Sequence, residues 1–264
     1  MKLLILGGTR EAKLLTKKLI NLDVDIIYSI AGLVRWPELN CEIISGGFSQ
    51  RGGLSEYLRI EKIDCLVDVT HPFARKITQQ ALRSSVELNI PCYSFERPEW
   101  QQQVGDNWFL ANDQNQLLSE LALAINMGSK NIFYTLGKIQ QQLALELDAI
   151  AELNEVFGSA RYIVRSTKET ELPQYAHWLQ AIGPYNYANE LALLKEYEID
   201  LIVCKNSGGE ATKAKLDAAR ELGIRILMLQ RPKRVNDSAN SSNKRFSDLD
   251  ECFDFISEKF SSDL

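Results

Sequence analysis

Three short stretches of the chain combine residue types that can do chemistry. Gly7-Gly8-Thr9-Arg10-Glu11-Ala12 follows the apolar run Lys2–Leu6 and approximates G-x-G-x-x-G/A, with Thr9 at the second glycine position and Ala12 at the third. Gly7 and Gly8 permit a tight turn and the close approach of a pyrophosphate. A helix opening there offers free N–H groups and a positive dipole end, and Thr9 adds a hydroxyl. Asp68-Val69-Thr70-His71-Pro72-Phe73-Ala74 sets one of only two histidines directly before a proline, and imidazole titrates near neutral pH. Lys205-Asn206-Ser207-Gly208-Gly209 joins a cation to a small polar turn, an arrangement suited to anions. The plain alternatives are a strand-to-helix turn without a ligand for the first stretch and a Ser207 helix cap for the third.

All three stretches need a scaffold that brings strand ends to one edge. Continuous apolar runs at 2–6, 24–29, 41–45, 63–69 and 91–95 alternate with helix-period segments near 9–21, 53–60 and 73–89. That rhythm predicts parallel strands covered on both faces. The segment 97–108 interrupts it, and a second series follows: runs at 131–136, 160–166, 199–205 and 224–229, with helices near 138–148, 186–197 and 210–222. The polar Asn/Ser-rich stretch 233–247 reads as a loop, and a last amphipathic helix carries Leu249, Cys252, Phe253, Ile256 and Phe260 on one face. The halves echo each other, each ending in Arg-Pro (Arg97-Pro98 and Arg231-Pro232). The expected fold is therefore α/β, two Rossmann-like doubly wound parallel-sheet domains spanning 1–98 and 99–264, with a cleft between them. In such sheets ligands bind beyond the carboxyl ends of the strands, where the three stretches fall.

Composition narrows the function. The chain has 264 residues, 45% hydrophobic and 25% charged, with a net charge of −5. An acidic chain is a poor general nucleic-acid binder, because phosphate neutralisation needs a basic face. A small anionic ligand needs only a few local cations. No apolar run approaches the roughly 18 residues that cross a bilayer, and Met1–Gly8 is too short for a signal peptide. Five cysteines without a C-x-x-C pair point to reduced thiols in the cytoplasm. Two distant histidines and scattered cysteines argue against a metal site.

The end of the second strand bears on the cofactor. NAD-binding folds place a carboxylate there for the ribose 2′-hydroxyl, whereas this chain reads Ser29-Ile30-Ala31-Gly32. Nothing there repels a 2′-phosphate, Ser29 can donate to one, and Arg35 is near enough in sequence to pair with it, so NADP is favoured over NAD. Tyr134 and Lys138 have the Tyr-x-x-x-Lys spacing of short-chain dehydrogenases. That pair works only on a helix, and here Tyr134 falls in a strand-like run, so the motif is rejected.

The order of these motifs resembles the precorrin-6A reductase family, NADPH-dependent reductases of corrin-ring biosynthesis. The resemblance runs from about residue 3 to 232 and rests on Ile5–Ala12, Ser29–Gly32, Gly46–Phe48 with Gly53–Leu54, Asp68–Ala74, Ile90–Trp100, Tyr134–Lys138, Lys205–Arg220 and Leu229–Pro232. It implies NADPH on the first domain and a tetrapyrrole between the two. Gly7, Gly8, Thr9 and Glu11 would form the cofactor loop. Ser29, Ala31 and Gly32 would lie by the adenosine, and Thr70, His71 and Pro72 by the nicotinamide. Lys205, Asn206, Ser207 and Gly208 would face the substrate. Family members usually carry arginine where this chain has Leu33, and Arg35 is the candidate replacement.

The implied reaction adds a hydride to a ring double bond of precorrin-6A or cobalt-precorrin-6A. His71 and Lys205 are the catalytic candidates, with protonation by solvent an equal alternative to His71. The substrate's carboxylates need cations, and Arg75, Arg97, Arg165 and Arg231 all sit near strand ends. Two other classes stay open: a two-domain sugar-nucleotide glycosyltransferase and a non-catalytic NADP(H)-sensing module.

Overall fold

A computed structural model describes residues 1–32, 36–136, 156, 158–167, 172–233 and 242–261. In chain order the elements are β1 (Lys2–Leu6), α1 (Arg10–Leu19), β2 (Asp25–Ile30), β3 (Glu42–Ser45), α2 (Leu54–Ile60), β4 (Cys65–Asp68), α3 (Arg75–Leu88) and β5 (Cys92–Phe95). They continue with β6 (Trp108–Ala111), α4 (Gln114–Asn126), β7 (Asn131–Tyr134), β8 (Arg161–Ser166), β9 (Ala176–Gln180) and α5 (Tyr187–Glu196). The chain closes with β10 (Leu201–Lys205), α6 (Ala214–Leu222), β11 (Arg225–Leu229), β12 (Lys244–Phe246) and α7 (Leu249–Ser261).

The strands form two six-stranded sheets, ordered β12-β5-β4-β1-β2-β3 and β6-β11-β10-β7-β8-β9. Every pairing is parallel. The first sheet has the doubly wound order 3-2-1-4-5-6, and the second repeats it with β7 to β11, except that its sixth place is filled by β6, the strand that comes first in that unit; each order reverses where a connection crosses the sheet. The switch points are therefore β1/β4 in the first sheet and β7/β10 in the second.

Successive residues of a strand point to opposite faces, and β1 shows why an unbroken apolar run is needed here. Leu3 and Ile5 join the core beneath α1 and α7, with Leu15, Leu19, Cys252 and Ile256. Leu4 and Leu6 join the opposite core beneath α2 and α3, with Leu54, Leu58, Leu66 and Ala81. In the second sheet Phe133, Ile202, Cys204 and Met228 pack with Leu194 of α5 and Leu216 of α6.

The sixth strands depart from expectation. β6, next in the chain after β5, pairs with β11 of the second sheet, and β12, next after β11, pairs with β5 of the first. The chain accordingly divides into Met1–Pro98 with Lys233–Leu264, and Glu99–Pro232. The expected 99–264 domain is corrected: its C-terminal part belongs to the first unit. Glu96 N–H donates to the Phe246 carbonyl at 2.9 Å. Asn243 Oδ1 accepts from Cys92 N–H at 2.9 Å and Ser85 Oγ at 3.0 Å.

Three strands and a helix were not foreseen. β6 and α4 lie in 108–126, β9 in 176–180, and β12 inside the stretch read as loop. All three strands lie at sheet edges; β9 and β12 lack the unbroken apolar run that marks an inner strand, while β6, Trp108–Ala111, has a short one that directly follows the polar segment 97–107. The helix expected over 138–148, with Lys138, lies outside the described residues, as do Arg35 and Leu33.

Candidate functional site

At the first switch point the glycine turn is fixed from below. Tyr28 on β2 is 1% exposed, and a Cβ at Gly7 would come within 2.2 Å of its Cζ, at the hydroxyl end of the ring. Gly7 N–H donates to the Ser29 carbonyl at 2.8 Å and Gly8 N–H to Tyr28 Oη at 2.9 Å. The two glycine N–H groups are therefore already committed. Those of Thr9, Arg10 and Glu11 have no acceptor among the described residues, and they open helix α1.

Thr9 is the N-cap: its Oγ1 accepts from Ala12 N–H at 3.0 Å and donates to the Val69 carbonyl at 2.8 Å. The second bond ties the turn after β1 to the loop after β4 across the switch point. The hydroxyl expected for a cofactor is thus used to hold the turn. Above it the surface is open. A Cβ at Gly8, Gly32 or Gly46 would meet nothing within 4 Å, and these glycines follow β1, β2 and β3. That bare shelf fits the backbone approach a dinucleotide requires.

Glu11, assigned to the cofactor, and Arg97, assigned to substrate, form an ion pair with each other at 2.8 Å. Each charge therefore has a partner within the first unit. Ser29 is buried, while Ala31 and Gly32 are exposed at the end of β2.

The loop after β4 is shaped by Asp68, which is 1% exposed. Its Oδ1 accepts from Thr70 N–H at 3.0 Å and from Thr70 Oγ1 at 2.6 Å. Pro72 is buried. His71 Nδ1 accepts from Phe73 N–H at 3.2 Å, so the neutral ring is assigned its proton on Nε2. Helix α3 follows without a side-chain cap at Ala74. Its first residue, Arg75, is exposed, a cation where the dipole favours an anion.

At the second switch point the loop after β10 is anchored by side chains expected to face substrate. Asn206 is 3% exposed; its Oδ1 accepts from Trp100 N–H at 2.9 Å and its Nδ2 donates to the Trp100 carbonyl at 3.1 Å. Arg231 donates to the carbonyls of Asn206 at 2.9 Å and Ser207 at 3.0 Å. Arg165 is 6% exposed and bidentate to Glu190 at 2.5 and 3.0 Å, between the rings of Phe133 and Tyr185. Asn206 and Arg165 are buried and Arg231 half-buried, and all three brace the elements around the loop through these bonds.

Ser207 is buried, with its Oγ 3.5 Å from Thr212 Oγ1. Gly208 and Gly209 have φ of 66° and 74°, a region open to glycine. Burial brings the Lys205 ammonium down to about 8. Sequence reasoning missed Lys215, which is 4% exposed in the first turn of α6. Its spacing from Ala219 and Leu222 puts a lysine on an apolar stripe, and that signal was readable.

Among the described residues no group of three or more His, Cys, Asp or Glu is placed to hold a metal ion, and no helix is long and apolar enough to cross a membrane.

A doubly wound sheet with a glycine turn at its switch point is the architecture of dinucleotide-binding proteins. The family model for "Precorrin-6x reductase CbiJ/CobK" matches residues 2–257. A precorrin-6A reductase of Rhodococcus erythropolis is 40% identical over 88% of this chain and 89% of its own. A cobalt-precorrin-6A reductase of Methanocaldococcus jannaschii is 28% identical over 97% and 98%. The solved structure of a CobK precorrin-6A reductase superposes with a TM-score of 0.82 at 27% identity, covering 98% of this chain and 96% of that one. The chain belongs to the precorrin-6x reductase CbiJ/CobK family.

Proposed function

We infer that the chain is an NADPH-dependent oxidoreductase that reduces a ring double bond of precorrin-6A, or of its cobalt complex, in cobalamin biosynthesis. The observation that carries this reading is the family match over residues 2–257, joined to relatives named as reductases of that substrate. It favours reduction over sugar-nucleotide transfer, and a second polar strand-end loop, Lys205–Gly209 in the second unit, favours an enzyme over a dinucleotide sensor.

A bound nicotinamide cofactor supplies the hydride. The chain's own residues position it. The N–H groups of Thr9, Arg10 and Glu11, at the start of α1, take the diphosphate, and the bare glycines let it approach. The sequence Ser29-Ile30-Ala31-Gly32 sets no carboxylate against a 2′-phosphate, which favours NADPH over NADH. Reduction adds a hydride to one atom of the double bond and a proton to the conjugated system. The imidazolium form of His71 is the donor we assign for that proton, returning to the neutral ring as it is given up. Lys205, and Arg75 at the uncapped start of α3, meet substrate carboxylates. All five cysteines are free and four are buried, which fits a reducing cytoplasm.

The test is loss of NADPH absorbance with precorrin-6A and cobalt-precorrin-6A, run in parallel with NADH. Turnover of at least one substrate, with NADPH preferred, is expected. Binding of NADPH with neither macrocycle reduced would sink the reductase reading. Equal use of NADH would sink only the 2′-phosphate assignment.

A further inference from the structure

Lys215 is the least expected residue of the second unit. It lies on the buried face of α6 beside Leu216, Ala218 and Ala219. Its Nζ donates to the Thr212 carbonyl at 2.8 Å and sits 5.1 Å from the centre of the Trp100 ring. It forms no ion pair among the described residues. The buried carboxylate of this region, Glu190, is already held by both arms of Arg165. A buried ammonium without a carboxylate is costly, and a methionine of similar length would fill the same space without that cost. Burial lowers the affinity of Lys215 for its proton, outweighing Cys204 and Glu190, which raise it, while Arg165 acts with burial. Such a residue is a candidate for function rather than packing.

Its surroundings show what it would serve. The carbonyl that Nζ holds ends the short turn Glu210–Thr212, directly after Gly208 and Gly209. Neither glycine N–H has an acceptor among the described residues. Lys205 lies at the start of the same loop, its charge also disfavoured by burial. Two unfilled N–H donors and two cations that burial disfavours call for an anion.

We propose that Lys215 is a positioning residue of the substrate site: it fixes the 208–212 turn and supplies the buried positive charge that draws a carboxylate of the tetrapyrrole onto the Gly208 and Gly209 N–H groups. The proposal rests on the reductase reading and adds a specificity determinant to it. It also explains why an expensive lysine occupies a packing position, since binding function and stability are commonly traded at such sites.

The experiment is Lys215→Met, assayed with precorrin-6A (or the cobalt form, whichever the wild type turns over) and NADPH, alongside thermal melting. Loss of one screened charge interaction predicts a KM for the tetrapyrrole raised about tenfold. The KM for NADPH should stay within about twofold, and the melting temperature should change little, the lost bond to the Thr212 carbonyl offsetting the relief of the buried charge. A lysine that only packs would leave the tetrapyrrole KM unchanged, and that result overturns the proposal. Wild-type protein that binds NADPH but turns over no tetrapyrrole would instead remove the reductase reading, and the role of Lys215 with it.

Discussion

Tyr28 occupies the space that any side chain at position 7 would need, and its hydroxyl takes the N–H of Gly8. Gly7 is thus required by a protein ring below the turn, while Gly8, with φ of 100° and nothing above it, is the glycine that leaves room for a ligand. Lys205 gives a residue-scale prediction. Its ammonium has an ordinary value of 10.5 and is brought down to about 8 by burial. Below about pH 8 both folded and unfolded chains carry the proton, and the folded state bears the full cost of the buried charge. Between about 8 and 10.5 the unfolded chain binds the extra proton, so stability contributed at this site rises with pH. Lys205→Met should therefore unfold at higher urea than wild type at pH 7, with the gap narrowing by about pH 10. Equal midpoints at pH 7 would show that water already solvates the ammonium.

Loops at this site are held by the elements around them. The Asn206 amide makes two hydrogen bonds to the backbone of Trp100, and Trp100 Nε1 donates to the Gly209 carbonyl at 2.9 Å. The stretch after Pro98 is thereby clamped to the loop after β10. Asn206→Ala removes both bonds and leaves a buried N–H and carbonyl to be satisfied, a loss of about 2 kcal/mol. Urea titration should show that loss, and tetrapyrrole KM should rise with it because the loop is released. A variant as stable as wild type would mean that water replaces the amide. The inner strands and the helices between them were legible because their pattern is local: apolar runs of strand length, a glycine turn, amphipathic periods. The clamp was not. Asn206 and Trp100 are 106 residues apart, and nothing in "KNSGG" says that its asparagine turns inward. Arg97, Arg165 and Arg231 were readable as cations near strand ends, but their partners Glu11 and Glu190 and the loop carbonyls are set by tertiary packing. A lysine on the apolar stripe of α6 was a local signal, and it was the one passed over.

At the scale of the whole molecule, the exchange of sixth strands makes the two units unequal in chain terms. All strands of the second sheet lie within Glu99–Pro232, because β6 supplies the edge beside β11. The first unit needs residues from both ends of the sequence. β12 covers the open edge of β5, and α7 covers the core face shared by Leu15, Leu19 and Phe95. Phe246, Cys252 and Ile256 are at most 1% exposed, and burying such side chains contributes roughly 1.5–3 kcal/mol each for the larger apolar ones. That is a substantial share of the 5–15 kcal/mol that typically separates folded from unfolded states. A fragment of residues 99–232 should therefore fold by itself, with a cooperative thermal transition. A fragment of residues 1–98 should not, since it exposes an unpaired strand edge and an apolar face that favour aggregation. Adding a separate peptide of residues 233–264 to the 1–98 fragment should restore both solubility and NADPH binding. Circular dichroism melts and titration with NADPH would read these outcomes. A 1–98 fragment that melts cooperatively and binds NADPH without the peptide would show that the returning strand and helix are dispensable to the first unit.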